Sequence, residues 1–136
     1  LLKNRLRLEI TEAALMDRGS DVSGVLEELK NAGVSCQIDD FGTGFSSLSS
    51  LAQLTVDGLK IDRSFILRMA EHEKNEKIVR AIITLARNLG ISVSAEGVEN
   101  EKQLDLVTEL GCSEAQGYFF SKPLTKEQFA EKYLDR

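Results

Sequence analysis

The stretch CQIDDFGTGFSSL, residues 36–48, joins a short apolar run to two adjacent aspartates and a glycine-rich turn. The run from Cys36 to Ile38 is typical of a buried strand, and Asp39 and Asp40 follow at its end. Burying two neighbouring carboxylates is costly unless a cation neutralises them. Because the candidate ligands are all oxygens, the segment favours a hard divalent ion such as Mg²⁺, Mn²⁺ or Ca²⁺. On this segment alone, a solvated Asp-Asp turn is the alternative.

The length and composition of the chain are those of a globular protein with a single hydrophobic core. Of its 136 residues, 42% are apolar and 29% are charged, and the formal net charge is −5. This acidic balance argues against a duplex nucleic-acid partner. No membrane-spanning stretch or signal peptide is evident, so we expect a cytoplasmic chain, with any membrane tether in missing domains of the parent protein. Cys36 and Cys112 are expected to be free thiols, and His72 an exposed residue without ligand spacing.

Alternating apolar and amphipathic segments predict five strand–helix units. The predicted strands lie near Leu6–Ile10, Ser35–Ile38, Gly58–Ile61, Ser92–Ala95 and Gly117–Phe120. The predicted helices are Val22–Asn31, Ser47–Leu54, Lys74–Asn88, Glu101–Leu110 and Lys126–Tyr133. Helix ends are predicted by glycines and by one N-cap threonine: Gly33, Gly90, Gly111 and Thr125. This alternation implies a parallel sheet covered by helices, either doubly wound or a (β/α)₈ barrel.

The position of the charged residues favours the barrel. Polar side chains stand at the end of strand after strand: Glu9, Glu12, Asp39, Asp40, Lys60, Asp62, Glu96 and Glu99, with Gln116 beside the last strand. Such convergence is the organisation of a barrel active site, whereas a doubly wound sheet concentrates its ligand at one switch point. We therefore predict an α/β fold, a partial (β/α)₈ TIM-type barrel of about five units, with three further units expected before Leu1.

Five segments together resemble one family. They are LEITE (Leu8–Glu12), DDFGTGFSSL (Asp39–Leu48), LKIDRSFI (Leu59–Ile66), AEGVEN (Ala95–Asn100) and QGYFFSKPL (Gln116–Leu124). They resemble the EAL family of bacterial phosphodiesterases, which hydrolyse cyclic di-GMP to linear pGpG on a modified (β/α)₈ barrel. The resemblance implies that residues 1–136 are the C-terminal portion of an EAL domain. The Glu-Ala-Leu segment that names the family and the asparagine strand after it are absent from this sequence.

The resemblance also implies a role for each matching residue. Glu9 matches a metal ligand, and Asp39 matches the aspartate shared by two metals. Asp40 matches a ligand of the second metal and is also counted among the catalytic residues. Lys60 matches the lysine that contacts the attacking water and the phosphate. Glu96 matches the glutamate proposed as general base or as partner of the metal-bound water.

Further positions match the substrate pocket and a loop of the family. Gln116 matches a glutamine that lines the pocket, and Pro123 lies in the stretch that borders a guanine base. Glu12 matches the glutamate that anchors the loop after the aspartate pair. That loop helps to form the family's homodimer, and here it comprises Phe41, Gly42, Thr43, Gly44, Phe45, Ser46 and Ser47.

The expected ligands follow from the same resemblance. They are two Mg²⁺ or Mn²⁺ ions, with the first metal site incomplete in this chain, and cyclic di-GMP as substrate. A second copy of the chain and an upstream GGDEF or sensor domain are the expected partners. The parent protein is expected to be an active phosphodiesterase and the fragment impaired. The alternatives are a degenerate module that binds cyclic di-GMP or a protein without hydrolysis, and an unrelated divalent-metal barrel such as an enolase-like lyase.

The isolated chain is expected to associate. Five of eight units leave open edges at the strands predicted near Leu6–Ile10 and Gly117–Phe120, and unpaired edges favour pairing with another chain. Ile10, Ile38 and Ile61 are then expected to be more exposed than barrel-core residues normally are. Sedimentation of the isolated chain measures the association, and a stable monomer at low concentration would contradict it.

Overall fold

The structure, a computed structural model, describes residues 6–17, 21–44 and 48–134. In these residues five strands alternate with seven helices. In chain order they are β1 (Arg7–Thr11), α1 (Glu12–Asp17), α2 (Asp21–Asn31), β2 (Ser35–Phe41), α3 (Leu48–Gln53), β3 (Gly58–Ile61), α4 (Arg63–Met69), α5 (Glu73–Leu89), β4 (Ser92–Glu96), α6 (Glu101–Leu110), β5 (Glu114–Gln116) and α7 (Lys126–Tyr133).

The five strands form one parallel sheet in the order β1-β2-β3-β4-β5. Each strand therefore pairs with the next one along the chain, and helices make every crossover. A doubly wound sheet would instead reverse its strand order at a switch point. The sequential order agrees with the predicted barrel-type winding and brings the carboxyl ends of all five strands to one edge of the sheet.

The two faces of the sheet differ in polarity because apolar and polar residues alternate along the strands. One face packs against the helices and contributes to the core, with the residues Leu8, Ile10, Cys36, Ile38, Leu59, Ile61, Val93, Ala95 and Ala115. The other face is polar, with the residues Arg7, Glu9, Gln37, Asp39, Lys60, Ser94, Glu96, Glu114 and Gln116. The candidate site lies on the polar face, and the helices pack against the opposite face of the same strands.

This alternation overturns the expected exposure of two isoleucines. Ile38 and Ile61 are 1% and 0% exposed, so the prediction that they would lie uncovered was wrong. Both side chains lie on the face of the sheet that the helices cover. The opposite, polar face is the one that would be turned toward further barrel units. Ile10, on the edge strand β1, is half-buried against the same core.

The last strand lies earlier in the chain than predicted. β5 is Glu114–Gln116, whereas residues 117–120, with their strand-like aromatics, form a turn in which the Phe120 amide donates to the Gly117 carbonyl. A Cβ at Gly117 would lie 2.1 Å from the Val98 carbonyl oxygen, so only glycine fits where the chain passes that backbone. The strand ends at this close approach, although the residues that follow have β propensity.

Most helices match their predicted ranges to within a residue, and their ends carry the predicted caps. Gly90 and Gly111 are left-handed C-caps, and Thr125 forms a capping box with Gln128. Two short helices, α1 and α4, were missed. Helices of six or seven residues give only a weak helical period, although α3, of six residues, was predicted. Within the described part of the chain, no helix combines the length and apolarity needed to cross a membrane.

Truncating a core residue of β3 should destabilise the chain measurably. Ile61 is fully buried between the sheet and its helices, so Ile61→Ala is expected to lower the free energy of unfolding by about 2–5 kcal/mol. Val25→Ala, at a side chain that is 53% exposed, is the control and should change it far less. Urea unfolding measures both, and equal losses would contradict the assigned core.

Candidate active site

A one-residue bulge in β2 allows both adjacent aspartates to serve one site. Ile38 pairs with Leu59 and Phe41 with Ile61, so three steps along β2 match only two along β3. The extra residue breaks the alternation that would send Asp39 and Asp40 to opposite faces. Asp40 takes a φ of 55°, in the left-handed region that aspartate tolerates better than most residues. Its amide donates to Asp39 Oδ1 at 2.9 Å.

The bulge creates an acidic group composed of Asp39, Asp40 and Glu96, whose carboxylate oxygens lie within 4.8 Å of one another. All three side chains are half-buried. Burial raises the pKa of Asp40, and the charge of Asp39 raises it further. Burial also raises the pKa of Glu96, against the lowering effect of Lys60. A set of oxygen ligands with unfavourable mutual charge fits a hard divalent cation.

Lys60 stands at the centre of the predicted site. Its residue is 5% exposed, and its Nζ lies 3.1 Å from each carboxylate oxygen of Glu9. The same Nζ is 3.7 Å from Asp39 Oδ1 and 3.8 Å from Glu96 Oε2. Burial alone lowers the pKa of Lys60, but the hydrogen bond to Glu9 and the nearby carboxylates outweigh it and raise the pKa. The lysine is therefore an ammonium ion within 3.8 Å of three carboxylates, and with Asp40 beside Asp39 the site keeps a surplus of negative charge.

Glu12 ties the loop after the aspartates to the start of α1. It is 2% exposed, and its Oε2 accepts hydrogen bonds from the amides of Gly42 at 3.1 Å and Gly44 at 3.0 Å. Thr43 Oγ1 adds a hydrogen bond to the Asp40 carbonyl at 2.7 Å. These contacts suit the predicted anchor. Of the predicted loop, Phe45, Ser46 and Ser47 lie outside the described residues.

A cleft of about 580 Å³ adjoins the acidic group and contains the two predicted substrate-binding residues. Gln116 lies at its inner end beside Glu96, and Pro123 lies on its wall. Sequence reasoning missed another wall residue, Arg63, which pairs with Glu99 at 2.6 Å and lies over the Tyr118 ring at 5.8 Å. The sequence did contain a signal for Arg63, because in LKIDRSFI it directly follows Asp62, the polar residue after β3.

The close packing of this wall explains a glycine in AEGVEN. Gly97 has a φ of +80°, and a Cβ there would lie 2.2 Å from Arg63 Cγ. A side chain at this position would push the arginine stem away from the cleft. Gly97 thus allows β4 to end directly beside Arg63.

The structure thus brings together Glu9, Asp39, Asp40, Lys60 and Glu96, which come from four strands. Gln116 joins them from β5, and it also lines a second, smaller cavity of about 200 Å³ with Glu9 and Lys60. Pro123 is farther out, on the cleft wall, and Glu12 acts on the loop.

A family model described as the EAL domain matches residues 1–123. The chain belongs to the EAL family. Because solved EAL domains superimpose on it, the predicted partial (β/α)₈-type barrel is confirmed.

Among the relatives, cyclic di-GMP phosphodiesterase NbdA of Pseudomonas aeruginosa is 46% identical over 131 residues, which is 94% of this chain and 17% of NbdA. The structure of the phosphodiesterase PaMucR in complex with c-di-GMP matches with a TM-score of 0.89 and 42% identity, over 93% of this chain and 51% of that one. A manganese and cyclic di-GMP complex of Klebsiella pneumoniae BlrP1 matches with a TM-score of 0.82 and 32% identity, over 90% of this chain and 31% of that one. The chain spans about a sixth of the length of curated relatives such as NbdA.

Removing the charge of Glu12 should loosen the loop that follows the aspartates. In Glu12→Gln, a neutral side chain replaces the buried carboxylate that accepts from Gly42 and Gly44, so the free energy of unfolding is expected to fall by about 1–3 kcal/mol. Hydrogen exchange at these two amides should accelerate. Glu27→Gln, at an exposed position on α2, is the matched control. Unchanged exchange at both glycines would refute the anchoring role.

Proposed function

We propose that this chain forms the C-terminal part of a metal-dependent phosphodiesterase that hydrolyses cyclic di-GMP to linear pGpG. The observation that carries the proposal is the Lys60 ammonium, paired with Glu9, Asp39 and Glu96 beside the acidic group at the carboxyl ends of the strands. It supports this function because the chain belongs to the EAL family and resembles proteins named cyclic di-GMP phosphodiesterases. The retained acids disfavour a degenerate module that only binds.

The acidic group of Asp39, Asp40 and Glu96 offers only carboxylate oxygens and so fits a divalent metal ion. Both oxygens of Glu9 accept from Lys60 in this structure, so Glu9 would have to turn toward a metal. Asp39, Asp40 and Glu9 would hold Mg²⁺ or Mn²⁺, with Asp39 shared between two ions. The manganese complex of BlrP1 supports this choice of cofactor class. When bound, such a pair lowers the pKa of a water molecule and stabilises negative charge on the phosphate oxygens. The first site needs further ligands, since the family's Glu-Ala-Leu segment and asparagine are absent from this sequence.

The chain's own residues then act on the substrate. Lys60 donates from its ammonium to the phosphate or to the attacking water, where negative charge develops. Glu96 accepts the proton of that water as general base, since its carboxylate lies beside Lys60 and Asp39 in the same group. The water oxygen bonds to phosphorus and the bond from phosphorus to the ribose 3′ oxygen breaks. That oxygen takes a proton from solvent, and Glu96 later returns to solvent the proton that it accepted. The product is the linear dinucleotide.

The cleft beside the acidic group would hold the nucleotide. Gln116 would contact the substrate next to the reacting phosphate, and Pro123 would border a guanine base. The cleft also offers Arg63 and Tyr118, a cation and a ring suited to stack with a base. An open volume of about 580 Å³ is consistent with a nucleotide-sized ligand.

Partners follow from the same proposal. A second copy of the chain would pair through the loop that begins at Phe41 and Gly42, and an upstream GGDEF or sensor domain would regulate the parent protein in the cytoplasm. The relative MucR of Pseudomonas aeruginosa, a bifunctional diguanylate cyclase and cyclic di-GMP phosphodiesterase, supports such a multi-domain parent.

Asp39→Asn in the full-length protein tests the function at its centre. The substitution removes the carboxylate proposed to touch both metals, so kcat should fall by at least about 10³. Steady-state hydrolysis of cyclic di-GMP at saturating Mg²⁺ is the measurement. Asp105→Asn, at an exposed position on α6, is the control and should retain wild-type rates. A largely active Asp39→Asn variant would refute the shared-ligand role, and an inactive wild type that still binds cyclic di-GMP would favour the degenerate module.

A further inference from the structure

Below the acidic group, a second set of polar side chains crosses the same face of the sheet. This lower layer consists of Arg7 on β1, Gln37 on β2, Ser94 on β4 and Glu114 on β5. Arg7 donates two hydrogen bonds to Glu114, at 2.5 and 2.9 Å, and one to Gln37 Oε1 at 3.3 Å. Gln37 Nε2 donates to Ser94 Oγ. One chain of hydrogen bonds thus joins four of the five strands.

The contact between Arg7 and Glu114 reveals the curvature of the sheet. Their strands are the two opposite edges of the five-strand order. In a flat sheet, strands about 4.8 Å apart would put these edges about 19 Å from each other, farther than an extended arginine and an extended glutamate reach together. The two side chains meet because the sheet curls around its polar face, and the ion pair holds the edges at a fixed separation.

The lower layer lies directly beneath the proposed catalytic side chains. In a strand, residues i and i+2 point to the same face. Each member of the lower layer precedes a predicted site residue by two positions: Arg7 before Glu9, Gln37 before Asp39, Ser94 before Glu96, and Glu114 before Gln116. The cavity of about 200 Å³ separates the two levels and touches residues of both, among them Arg7, Glu114, Glu9 and Gln116.

The burial of these residues indicates what the layer does. Gln37 and Ser94 are 3% and 6% exposed, so their mutual hydrogen bond is made inside the protein. The side chains of Arg7 and Glu114 are 43% and 47% exposed, and an ion pair with that much solvent contributes little to folding stability. The hydrogen bond from Arg7 lowers the pKa of Glu114. Because its two residues lie on the opposite edge strands, what the pair constrains is the separation of those strands.

We propose that Arg7 and Glu114 are a positioning pair that sets the distance across the site between Glu9 and Gln116. The inference rests on the proposed function, in which Glu9 is a metal ligand and Gln116 a substrate contact. Neither Arg7 nor Glu114 touches the reacting atoms. They act through the strands that carry both levels, because each strand moves its lower and upper side chain together.

Metal affinity of the full-length protein tests the pair without turnover. Arg7→Met and Glu114→Gln should each weaken Mn²⁺ binding by up to about fivefold, the most that an exposed ion pair can transmit to the strands it joins. The double variant should be no worse than either single one, since both remove the same contact. Arg7→Lys, which keeps the charge, should recover part of the affinity. Calorimetric titration with Mn²⁺ alone measures each value.

Arg80→Met is the matched control, because it removes a comparably exposed ion pair, with Glu76, on the outer helix α5. Its Mn²⁺ affinity should equal that of the wild type, and its thermal unfolding midpoint should match those of the Arg7 and Glu114 variants. Unchanged affinity in Arg7→Met and Glu114→Gln overturns the inference, as does an equal loss in Arg80→Met. A wild type that binds Mn²⁺ without hydrolysing cyclic di-GMP refutes the proposed function alone, whereas one that binds no Mn²⁺ overturns both.

Discussion

The buried ammonium of Lys60 is the interaction on which the polar face of the sheet depends. Without this ammonium, the carboxylates of Glu9, Asp39 and Glu96 would repel one another in a partly buried site, because no cationic side chain of the described residues would lie among them. With it, the carboxylates share one positive charge at 3.1 to 3.8 Å and still keep a negative surplus. That surplus makes the site suitable for divalent ions and unsuitable for a nucleotide phosphate without them.

The geometry of the strands converts that charge balance into a site. Parallel winding in sequential order brings the ends of all five strands to one edge, and the apolar residues on the opposite face fix the strands against the helices. The bulge in β2 lies between Ile38 and Phe41 and interrupts the alternation of side chains there. It adds the second aspartate, Asp40, to the same face as Asp39. A packed core behind the sheet and a polar network in front of it therefore position the same strands.

Much of this could be predicted from local sequence. Apolar runs that end in charge located four of the five strands, and the cap at Thr125 followed from its side chain. The bulge could not be predicted, because it depends on the register between β2 and β3, which are distant in sequence. The last strand was misplaced because Tyr118, Phe119 and Phe120 have strand propensity, whereas the chain turns at Gly117, where it passes close to the Val98 backbone. The lower layer did leave a signal, namely polar residues two positions before the acids, as at Gln37.

We propose that these residues belong to a metal-dependent phosphodiesterase for cyclic di-GMP. The most direct measurement is the product formed from cyclic di-GMP by the full-length protein, resolved by chromatography with Mg²⁺ or Mn²⁺ and again after chelation. The account predicts linear pGpG in the presence of metal and none after chelation. Unchanged cyclic di-GMP in the presence of metal, or equal hydrolysis after chelation, would contradict it.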